Sequence, residues 1–182
     1  MIITSGIYRG RKVVAPDEKY VRPTLSKIRE SIFNTLFSMM EFNGKNFLDM
    51  FAGSGIMGLE ALSRGFEGVF ALEKNPKVAK ILKENYANIK LTPNLIVGDS
   101  LKILPKINEK FDVIYLDPPY FSGIYEGSLG KIKEHALLKE GGIVILEHVK
   151  EVSWADFGYE LIKQKKYSDK LITFLKIQGL CS

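Results

Sequence analysis

The sequence predicts an α/β fold built around a mostly parallel β-sheet. Short apolar runs alternate with helical segments over residues 47–150, as they do in chains whose parallel strands are joined by crossover helices. A glycine-rich turn links the first of these runs to the helix that follows it. Two further strand-like runs end the chain, and the short turn between them leaves no room for a crossover helix, so we expect them to pair in antiparallel fashion.

Five apolar runs are the predicted parallel strands, and four helical segments separate them. The predicted strands are Asn46–Met50, Gly68–Leu72, Asn94–Val97, Val113–Leu116 and Ile143–Leu146. The predicted helices are Ile56–Arg64, Pro76–Ile89, Leu101–Ile107 and Ile124–Leu138. The antiparallel pair is Tyr159–Lys166 and Leu171–Ile177. This order places the carboxyl ends of the parallel strands, and the loops that follow them, along one edge of the sheet.

A basic segment precedes the first parallel strand. Its two short strands, Ile2–Tyr8 and Arg11–Ala15, are predicted to form a hairpin, and Thr24 is the predicted N-cap of the next helix. Residues 1–45 carry 8 basic and 4 acidic side chains, whereas residues 46–150 carry 13 of each. Nearly all of the net charge of +5 therefore lies in this segment, which indicates a polyanionic partner.

The composition is that of an ordinary globular protein. The 182 residues are 46% hydrophobic and 26% charged, enough to bury a core without a disulfide or metal staple. The single cysteine, Cys181, excludes an intramolecular disulfide. No apolar run approaches the roughly 18 residues of a membrane span, and the N-terminus lacks the apolar segment of a signal peptide. We therefore expect a cytoplasmic protein without membrane association, and nothing in the sequence demands more than a monomer.

The glycine-rich turn has the features of a nucleotide-binding loop. The pattern Gly53-x-Gly55-x-x-Gly58 matches the dinucleotide fingerprint, and Glu73 follows Gly53 by 20 residues at the end of the second strand. A carboxylate at that position accepts hydrogen bonds from ribose hydroxyls. The third strand is followed by Asp99, which is placed to accept a hydrogen bond from an adenine amine. Alone, the loop indicates only a cofactor that contains a ribonucleoside.

Acidic residues at neighbouring strand ends distinguish between two such cofactors. S-adenosylmethionine (SAM) carries a positive sulfonium and NAD carries two phosphates, so an acid-lined pocket favours SAM. The candidate cofactor-binding residues are Asp49, Phe51, Ala52, Gly53, Gly55, Glu73, Asp99 and Ser100. We expect no metal site, because His135 and His148 lack a partner pattern for metal ligation.

The motif Asp117-Pro118-Pro119-Tyr120 follows the fourth strand and suits the methylation of an exocyclic amine. Two consecutive prolines hold an extended loop and remove two backbone donors, which leaves carbonyl oxygens as acceptors. The amine of a nucleobase becomes nucleophilic only when its hydrogens are held so that the nitrogen can rehybridise. The Asp117 carboxylate and the Pro118 carbonyl can accept those hydrogens while Tyr120 stacks on the base. These four residues, including Pro119, are the candidate catalytic residues.

Several segments together resemble a known family. The Phe-Ala-Gly-Ser-Gly turn at 51–55 and the Asp-Pro-Pro-Tyr motif are similar to the amino-group-modifying branch of the class I SAM-dependent methyltransferases. The opening residues 6–11 and the segments 22–24, 29–34 and 58–65 resemble the RsmD family, which methylates a guanine N2 in bacterial small-subunit (16S) ribosomal RNA. The resemblance implies a Rossmann-like class I methyltransferase fold, with a seven-stranded sheet whose last strand is antiparallel.

The same resemblance implies roles for the candidate residues. The glycines of the loop at 53–55 would approach the methionine part of SAM, and Glu73 and Asp99 would approach its ribose and adenine. Asp117 and Tyr120 would hold the target base.

The basic N-terminal segment is interpreted as an RNA-binding extension covering residues 1–45, followed by a catalytic domain at 46–182. The candidate contacts to RNA phosphates are Arg9, Arg11, Lys12, Arg22, Lys27 and Arg29. Arg22 and Thr24 are alternative contacts to the cofactor carboxylate. The expected partner is ribosomal RNA or the small ribosomal subunit.

Three alternatives stay open at this stage. An adenine N6 methyltransferase acting on RNA or DNA would use the same chemistry, because the Asp-Pro-Pro-Tyr motif does not distinguish the two amines. An NAD-binding oxidoreductase would account for the glycine fingerprint and Glu73 but leaves that motif unexplained. A non-catalytic RNA-binding factor would keep the basic extension but needs no intact site.

Overall fold

A mixed seven-stranded β-sheet with helices on both faces forms the scaffold of the protein, and the seven strands predicted for this sheet are all present. The computed structural model describes residues 1–17, 25–119 and 123–179. The strands are β1 (Asn46–Asp49), β2 (Gly68–Glu73), β3 (Asn94–Val97), β4 (Phe111–Leu116), β5 (Leu138–His148), β6 (Tyr159–Tyr167) and β7 (Lys170–Ile177). The α-helices are α1 (Ser26–Phe37), α2 (Ile56–Ser63), α3 (Pro76–Ala87), α4 (Ser100–Ile103) and α5 (Ile124–Glu134), and the 3₁₀ turns are Leu104–Lys106 and Ala155–Phe157.

Some residues that the sequence singled out lie outside the described part of the chain, and they are Arg22, Thr24, Tyr120 and Cys181. The prediction that Thr24 caps the first helix is nevertheless wrong, because α1 begins at Ser26 with Leu25 as its N-cap residue. The Leu25 carbonyl accepts the first bonds of the helix, from the N–H groups of Ile28 at 3.0 Å and Arg29 at 3.1 Å.

The strand order is β3-β2-β1-β4-β5-β7-β6, so the order reverses between β1 and β4. Strands β1 to β5 are parallel, and β7 pairs in antiparallel fashion with both β5 and β6. This confirms the predicted mostly parallel sheet with an antiparallel last strand. In open sheets of this kind, ligands bind at the carboxyl ends of the strands where the order reverses.

Two apolar layers cover the faces of the sheet. One layer joins buried residues of α1, α2 and α3 to Ile3 and Val13 of the N-terminal segment. The other contains Leu129 and Ile132 of α5 together with the residues that follow β3. Every residue of β4 is buried, as expected for the central strand between the two layers. No helix in the described ranges combines the length and the apolar character needed to cross a bilayer.

The N-terminal segment forms a short, irregular hairpin that docks on α2. Its two halves meet at the antiparallel bridge between Ile2 and Lys12, where the N–H of Ile3 donates to the Arg11 carbonyl at 3.0 Å. The N–H of Ile7 donates to the Ser63 carbonyl of α2 at 2.8 Å, so it is not available to a partner strand. Gly6, at φ +83, lies so close to α2 that a Cβ would stand 1.7 Å from the Ser63 carbonyl oxygen. The predicted pairing therefore forms around the Ile2–Lys12 bridge, and contacts to Ser63 of α2 take its place at Ile7 and Tyr8.

A buried carboxylate, Glu60 of α2, joins the N-terminal segment and α1 to the scaffold. It accepts from the backbone N–H of Thr4 at 3.0 Å, and it pairs with Arg64 and with Arg29 Nε, the latter at 3.1 Å. The Arg29 side chain is 1% exposed and also donates to the Ile2 carbonyl at 2.7 Å. The structure therefore contradicts the prediction that Arg29 contacts RNA, because its guanidinium is enclosed and bound to protein acceptors.

Side chains from both sides of residue 45 share one core. Phe33 of α1 stacks on Phe47 of β1 with ring centroids 6.0 Å apart, and Phe42 stacks on Phe66 at 4.6 Å. The division into residues 1–45 and 46–182 therefore remains a prediction about function and does not correspond to two separately packed cores.

A second buried ion pair joins the parallel and antiparallel parts of the sheet. Glu147, near the carboxyl end of β5, pairs with Lys170 at the start of β7, and both side chains are buried. The Tyr115 hydroxyl of β4 donates to Glu147 Oε2 at 2.6 Å. The network thus ties three strands together two residues before Asp117.

We predict that Lys170→Met lowers the free energy of unfolding by about 3 to 5 kcal/mol, because it leaves Glu147 as a buried carboxylate without its ammonium partner. The double variant Lys170→Met/Glu147→Gln should recover much of this loss, since the amide still accepts from Tyr115 but carries no charge. Urea denaturation measures both variants. Equal destabilisation of the single and double variants would contradict this account.

Candidate functional site

The candidate site lies at the carboxyl edge of the sheet, beside the crevice between β1 and β4. Strand β1 ends at Asp49 and β2 ends at Glu73, while Asp117 directly follows β4. The N–H of Met50 donates to the Tyr115 carbonyl at 3.0 Å, which continues the pairing of β1 with β4 past the end of β1. The sheet therefore brings together carboxylates from loops that are far apart in the sequence.

The glycine-rich loop turns sharply between β1 and α2. The N–H of Gly55 donates to the Ala52 carbonyl at 2.7 Å, and the N–H of Ala52 donates to the Leu72 carbonyl of β2 at 2.9 Å. Gly55 precedes α2 at φ +80, and a Cβ there would lie 2.8 Å from Leu82 Cγ of α3. Glycine is therefore required at position 55 both for the backbone conformation and for the packing of α3. The sequence pattern had indicated only the close approach of a ligand.

Glu73 contacts the glycine-rich loop from the end of β2. Its Oε2 accepts from the N–H of Gly53 at 2.9 Å, and its Oε1 accepts from the N–H of Asn75 at 2.7 Å. The residue is 9% exposed. These bonds hold the carboxylate in one orientation, and each oxygen keeps a lone pair that can accept from a ribose hydroxyl. The structure thus places in contact two residues, Gly53 and Glu73, that the sequence spacing had paired.

Asp49 is a buried carboxyl group that forms no ion pair among the described residues. It is 1% exposed, and its Oδ1 accepts from the N–H of Phe51 at 3.3 Å. Burial raises the pKa of Asp49 to about 7, with a smaller increase from the nearby Glu73 carboxylate and an opposing effect of the Phe51 hydrogen bond. A carboxyl group poised near neutrality is one that an approaching cation would readily ionise.

Asp99 and Ser100 follow β3 and have different partners. Lys74 Nζ lies 3.1 Å from Asp99 Oδ2, and this hydrogen bond lowers the pKa of Asp99 below its usual range. The Lys74 side chain is 78% exposed, so the pair is weak and can open towards solvent. The buried Ser100 hydroxyl donates to the Met50 carbonyl at 2.6 Å and ties this loop to the one after β1. The pairing of Lys74 with Asp99 was not predicted from the sequence.

The loop after β4 begins at Asp117, at the carboxyl edge of the sheet. Asp117 is partly exposed, Pro118 is buried and Pro119 is exposed. Neither proline has a backbone N–H, so the backbone groups that the two prolines offer are carbonyl oxygens. Tyr120, the last residue of the motif, lies outside the described residues.

Five of the six predicted RNA-contacting cations lie in the described residues, and they differ in exposure. Four of them are exposed, and these are Arg9, Arg11, Lys12 and Lys27. Arg29 is buried, and Arg22 lies outside the described residues. Residues 9–12 belong to the segment that docks on α2, the helix that begins at the glycine-rich loop. The exposed cations of this segment are therefore held on the scaffold of the candidate site.

Asn85 of α3, which was not predicted as a site residue, connects the N-terminal segment to the glycine-rich loop. Its Oδ1 accepts from the N–H of Val14 at 2.8 Å, and its Nδ2 donates to the carbonyls of Val14 and Ser54, both at 2.9 Å. The residue is 1% exposed. A signal was available, because Asn85 shares the buried helical face of Leu82, where an amide needs hydrogen-bonding partners.

The carboxylates at this edge of the sheet suit a ligand that carries ribose hydroxyls and a positive charge. Asp49, Glu73 and Asp99 approach the same edge from neighbouring loops. The residues that the structure describes contain no group of three or more His, Cys, Asp or Glu side chains that could hold a metal ion.

Comparisons with known proteins agree on one family and one fold. The family described as "Conserved hypothetical protein 95" matches residues 1–176. YlbH of Bacillus subtilis is 36% identical over 171 residues, which cover 91% of this chain and 92% of that protein. The ribosomal RNA small subunit methyltransferase D of Haemophilus influenzae is 35% identical over 154 residues, which cover 82% of this chain and 79% of that protein.

A solved structure shows the same architecture. The structure of yhhF from Escherichia coli superimposes with a TM-score of 0.88 at 26% identity, and the match covers 98% of both chains. This likeness confirms the expected Rossmann-like class I methyltransferase fold. Family match, sequence identity and fold all agree, and the chain belongs to the RsmD family, that of the ribosomal RNA small subunit methyltransferases D.

Proposed function

We propose that the protein transfers a methyl group from SAM to the exocyclic N2 amine of a guanine in small-subunit (16S) ribosomal RNA. The Haemophilus influenzae relative is named for methylation of small-subunit ribosomal RNA, and its family is the family of this chain. One observation carries the proposal: the carboxylates of Asp49 and Glu73 lie on one side of the crevice at which the acceptor loop of Asp117 and Pro118 leaves β4.

The residues at the first three strand ends fit SAM better than NAD. Two phosphates would face the carboxylates of Asp49 and Glu73, whereas a sulfonium would be attracted by them. Glu73 is oriented by two backbone N–H groups to accept from ribose hydroxyls. Asp99 can accept from the adenine amine when Lys74 turns to solvent. Bound SAM supplies an electrophilic methyl group on its sulfonium.

Asp117 and Pro118 are proposed to act on the target amine. The carboxylate and the proline carbonyl would accept the two N–H hydrogens, which orients the nitrogen lone pair towards the methyl group. Such an attack needs positioning and electrostatic preorganisation and no strong base. Tyr120, which follows Pro119 in the sequence, is proposed to stack on the base. Because the base must leave any helical stack, loop or single-stranded RNA is the favoured substrate.

Guanine N2 is favoured over adenine N6 by the family to which the chain belongs, since the motif alone fits both amines.

We further propose that the protein acts in the cytoplasm as a monomer, on free ribosomal RNA or on the assembling small subunit. The exposed cations of the N-terminal segment are proposed to hold the RNA phosphates.

The transfer reaction itself tests the proposal. Labelled SAM should methylate naked 16S ribosomal RNA or 30S particles, and nucleoside analysis should find N2-methylguanosine. Asp117→Ala should lower the transfer rate about 100-fold or more, because the amine loses an oriented acceptor, and should leave SAM affinity within about threefold. Asp156→Ala, which removes an exposed acid from the 3₁₀ turn before β6, is the matched control. N6-methyladenosine would contradict the choice of base, and no transfer would contradict the enzyme.

Asp49 should give SAM binding a pH dependence of defined sign. The pKa of Asp49 lies at about 7, so below that pH a bound sulfonium must displace a proton. We expect SAM affinity to rise by up to about tenfold per pH unit towards pH 7 and then to level off. S-adenosylhomocysteine, which lacks the sulfonium charge, should show a much weaker dependence. Calorimetry between about pH 5.5 and pH 8.5 measures both ligands, and Asp49→Asn should remove the difference between them. Equal pH dependence of the two ligands would be inconsistent with this role.

The exposed cations of the N-terminal segment give a third expectation. The triple variant Arg9→Ala/Arg11→Ala/Lys12→Ala should weaken RNA binding and reduce the slope of log affinity against log salt by about 2 to 3. Each of the three lost phosphate contacts accounts for about 0.7 to 0.9 of that reduction, because it no longer releases a counterion. SAM affinity should not change. The control variant Lys106→Ala/Lys110→Ala alters exposed lysines beside the amino end of β4, at the opposite edge of the sheet. Unchanged RNA affinity in the triple variant would refute the assignment.

A further inference from the structure

We infer that a groove between α1 and the edge strand β6 is a second binding surface for the RNA phosphate backbone. This inference rests on the proposed function in one respect, that the substrate is RNA. Hydrogen bonds join α1 to β6, and the surface along that junction is called here the α1–β6 groove; its residues are Lys27, Ser31 and Thr35 of α1 and Lys163, Lys165 and Tyr167 of β6.

Lys165 spans the groove and is held by hydroxyl groups. Its Nζ donates to Thr35 Oγ1 at 2.6 Å and to Ser31 Oγ at 3.2 Å. The Tyr167 hydroxyl forms a hydrogen bond with the same Ser31 hydroxyl. Across the described ranges of the chain, no carboxylate pairs with Lys165, so its charge is solvated by neutral hydroxyls. These hydroxyls use two of the three ammonium N–H groups, so one remains to donate to a phosphate oxygen, and no paired acid would repel that phosphate.

Lys163 extends the same surface along the strand. Side chains two residues apart in a strand point to the same face, so Lys163, Lys165 and Tyr167 lie together. Lys165 pairs in register with Ile172 of β7, whose side chain belongs to the apolar layer beneath α1. Lys163 is exposed and has no acidic partner in the part of the chain that the structure describes. The two lysines are about 7 Å apart along the strand, close to the spacing of successive phosphates in an RNA strand.

Lys27 continues the surface on the helix. It is exposed and precedes Ser31 by four residues, which places the two side chains on one face of α1 about 6 Å apart. Glu30 is exposed and follows Lys27 by three residues, so it neighbours Lys27 on the helix surface, and the two lysines of β6 carry the proposed phosphate contacts. At the far end of β6, Glu160 pairs with Lys176 at 2.8 Å, and there the unpaired basic surface ends.

The groove opens at the edge of the sheet that holds the candidate site. Strand β7 runs antiparallel to β5 and pairs Leu171 with His148, so the turn between β6 and β7 lies at the carboxyl end of β5. Asp117 leaves the neighbouring strand β4 at that same edge. An RNA strand whose target base enters the crevice can therefore continue along the α1–β6 groove, on the side of the sheet away from β3.

The test is the salt dependence of RNA binding. In the double variant Lys163→Gln/Lys165→Gln, the slope of log affinity for naked 16S ribosomal RNA against log salt should fall by about 1.4 to 1.8, the value for two lost phosphate contacts. SAM affinity, measured by calorimetry, should stay within about twofold, because neither lysine contacts the cofactor loops. The matched control Lys106→Gln/Lys110→Gln makes the same charge change at the opposite edge and should keep the slope of the unmodified protein.

The outcomes separate this inference from the proposed function. If the unmodified protein neither binds nor methylates ribosomal RNA, the proposed function fails and this inference fails with it. If the unmodified protein methylates RNA and the double variant keeps the slope of the control, the inference alone is overturned, and the groove would instead suit an acidic protein segment. If the double variant melts at a lower temperature than the unmodified protein, the single variant Lys163→Gln replaces it in the test, because that exposed side chain has no acidic partner among the described residues. A slope reduced by about 0.7 to 0.9 supports the groove, and an unchanged slope overturns it.

Discussion

The parallel pairing of β1 with β4 is the constraint on which the site depends. The strand order reverses at this pair, so the loops after the two strands diverge and leave a crevice between them. The hydrogen bond from Met50 to the Tyr115 carbonyl, at 3.0 Å, keeps the two strand ends in register up to the loops. The cofactor-side carboxylates and the acceptor loop at Asp117 are therefore positioned by the backbone of a buried sheet and need no flexible element to bring them together.

Buried polar groups attach the remaining parts to that scaffold. Glu60 holds α1 and the N-terminal segment against α2, and Asn85 bonds both to that segment and to Ser54 of the glycine-rich loop. Glu147 joins β4 and β5 to β7. Each group is expensive to bury without partners, so each favours one arrangement of the elements that it joins. The proposed RNA-binding cations are carried by elements that these contacts orient relative to the crevice.

Charge is divided between two tasks in the proposed enzyme. Residues 46–150 carry 13 basic and 13 acidic side chains, and their carboxylates at the strand ends suit a cationic cofactor and an amine. The excess of residues 1–45 suits RNA. Net charge by segment hides the α1–β6 groove, because the lysines of β6 are offset in the count by acids such as Glu151 and Asp156, which lie outside β6. Surface charge therefore has to be read from the structure as well as from composition.

Periodicity and turn residues predicted the order of the sheet strands and helices and the positions of Glu73 and Asp117 at strand ends, because these patterns act over a few neighbours. Features that depend on distant partners emerged only from the folded chain. Arg29 follows the helical pattern of an exposed cation, yet it is buried because Glu60, 31 residues away, accepts its hydrogen bond. The N-terminal strands pair around Ile2 and Lys12, yet the amides of Ile7 and Tyr8 bind Ser63 of α2. The hydroxyl groups around Lys165 lie more than 100 residues from it in the chain, and no local pattern records that meeting.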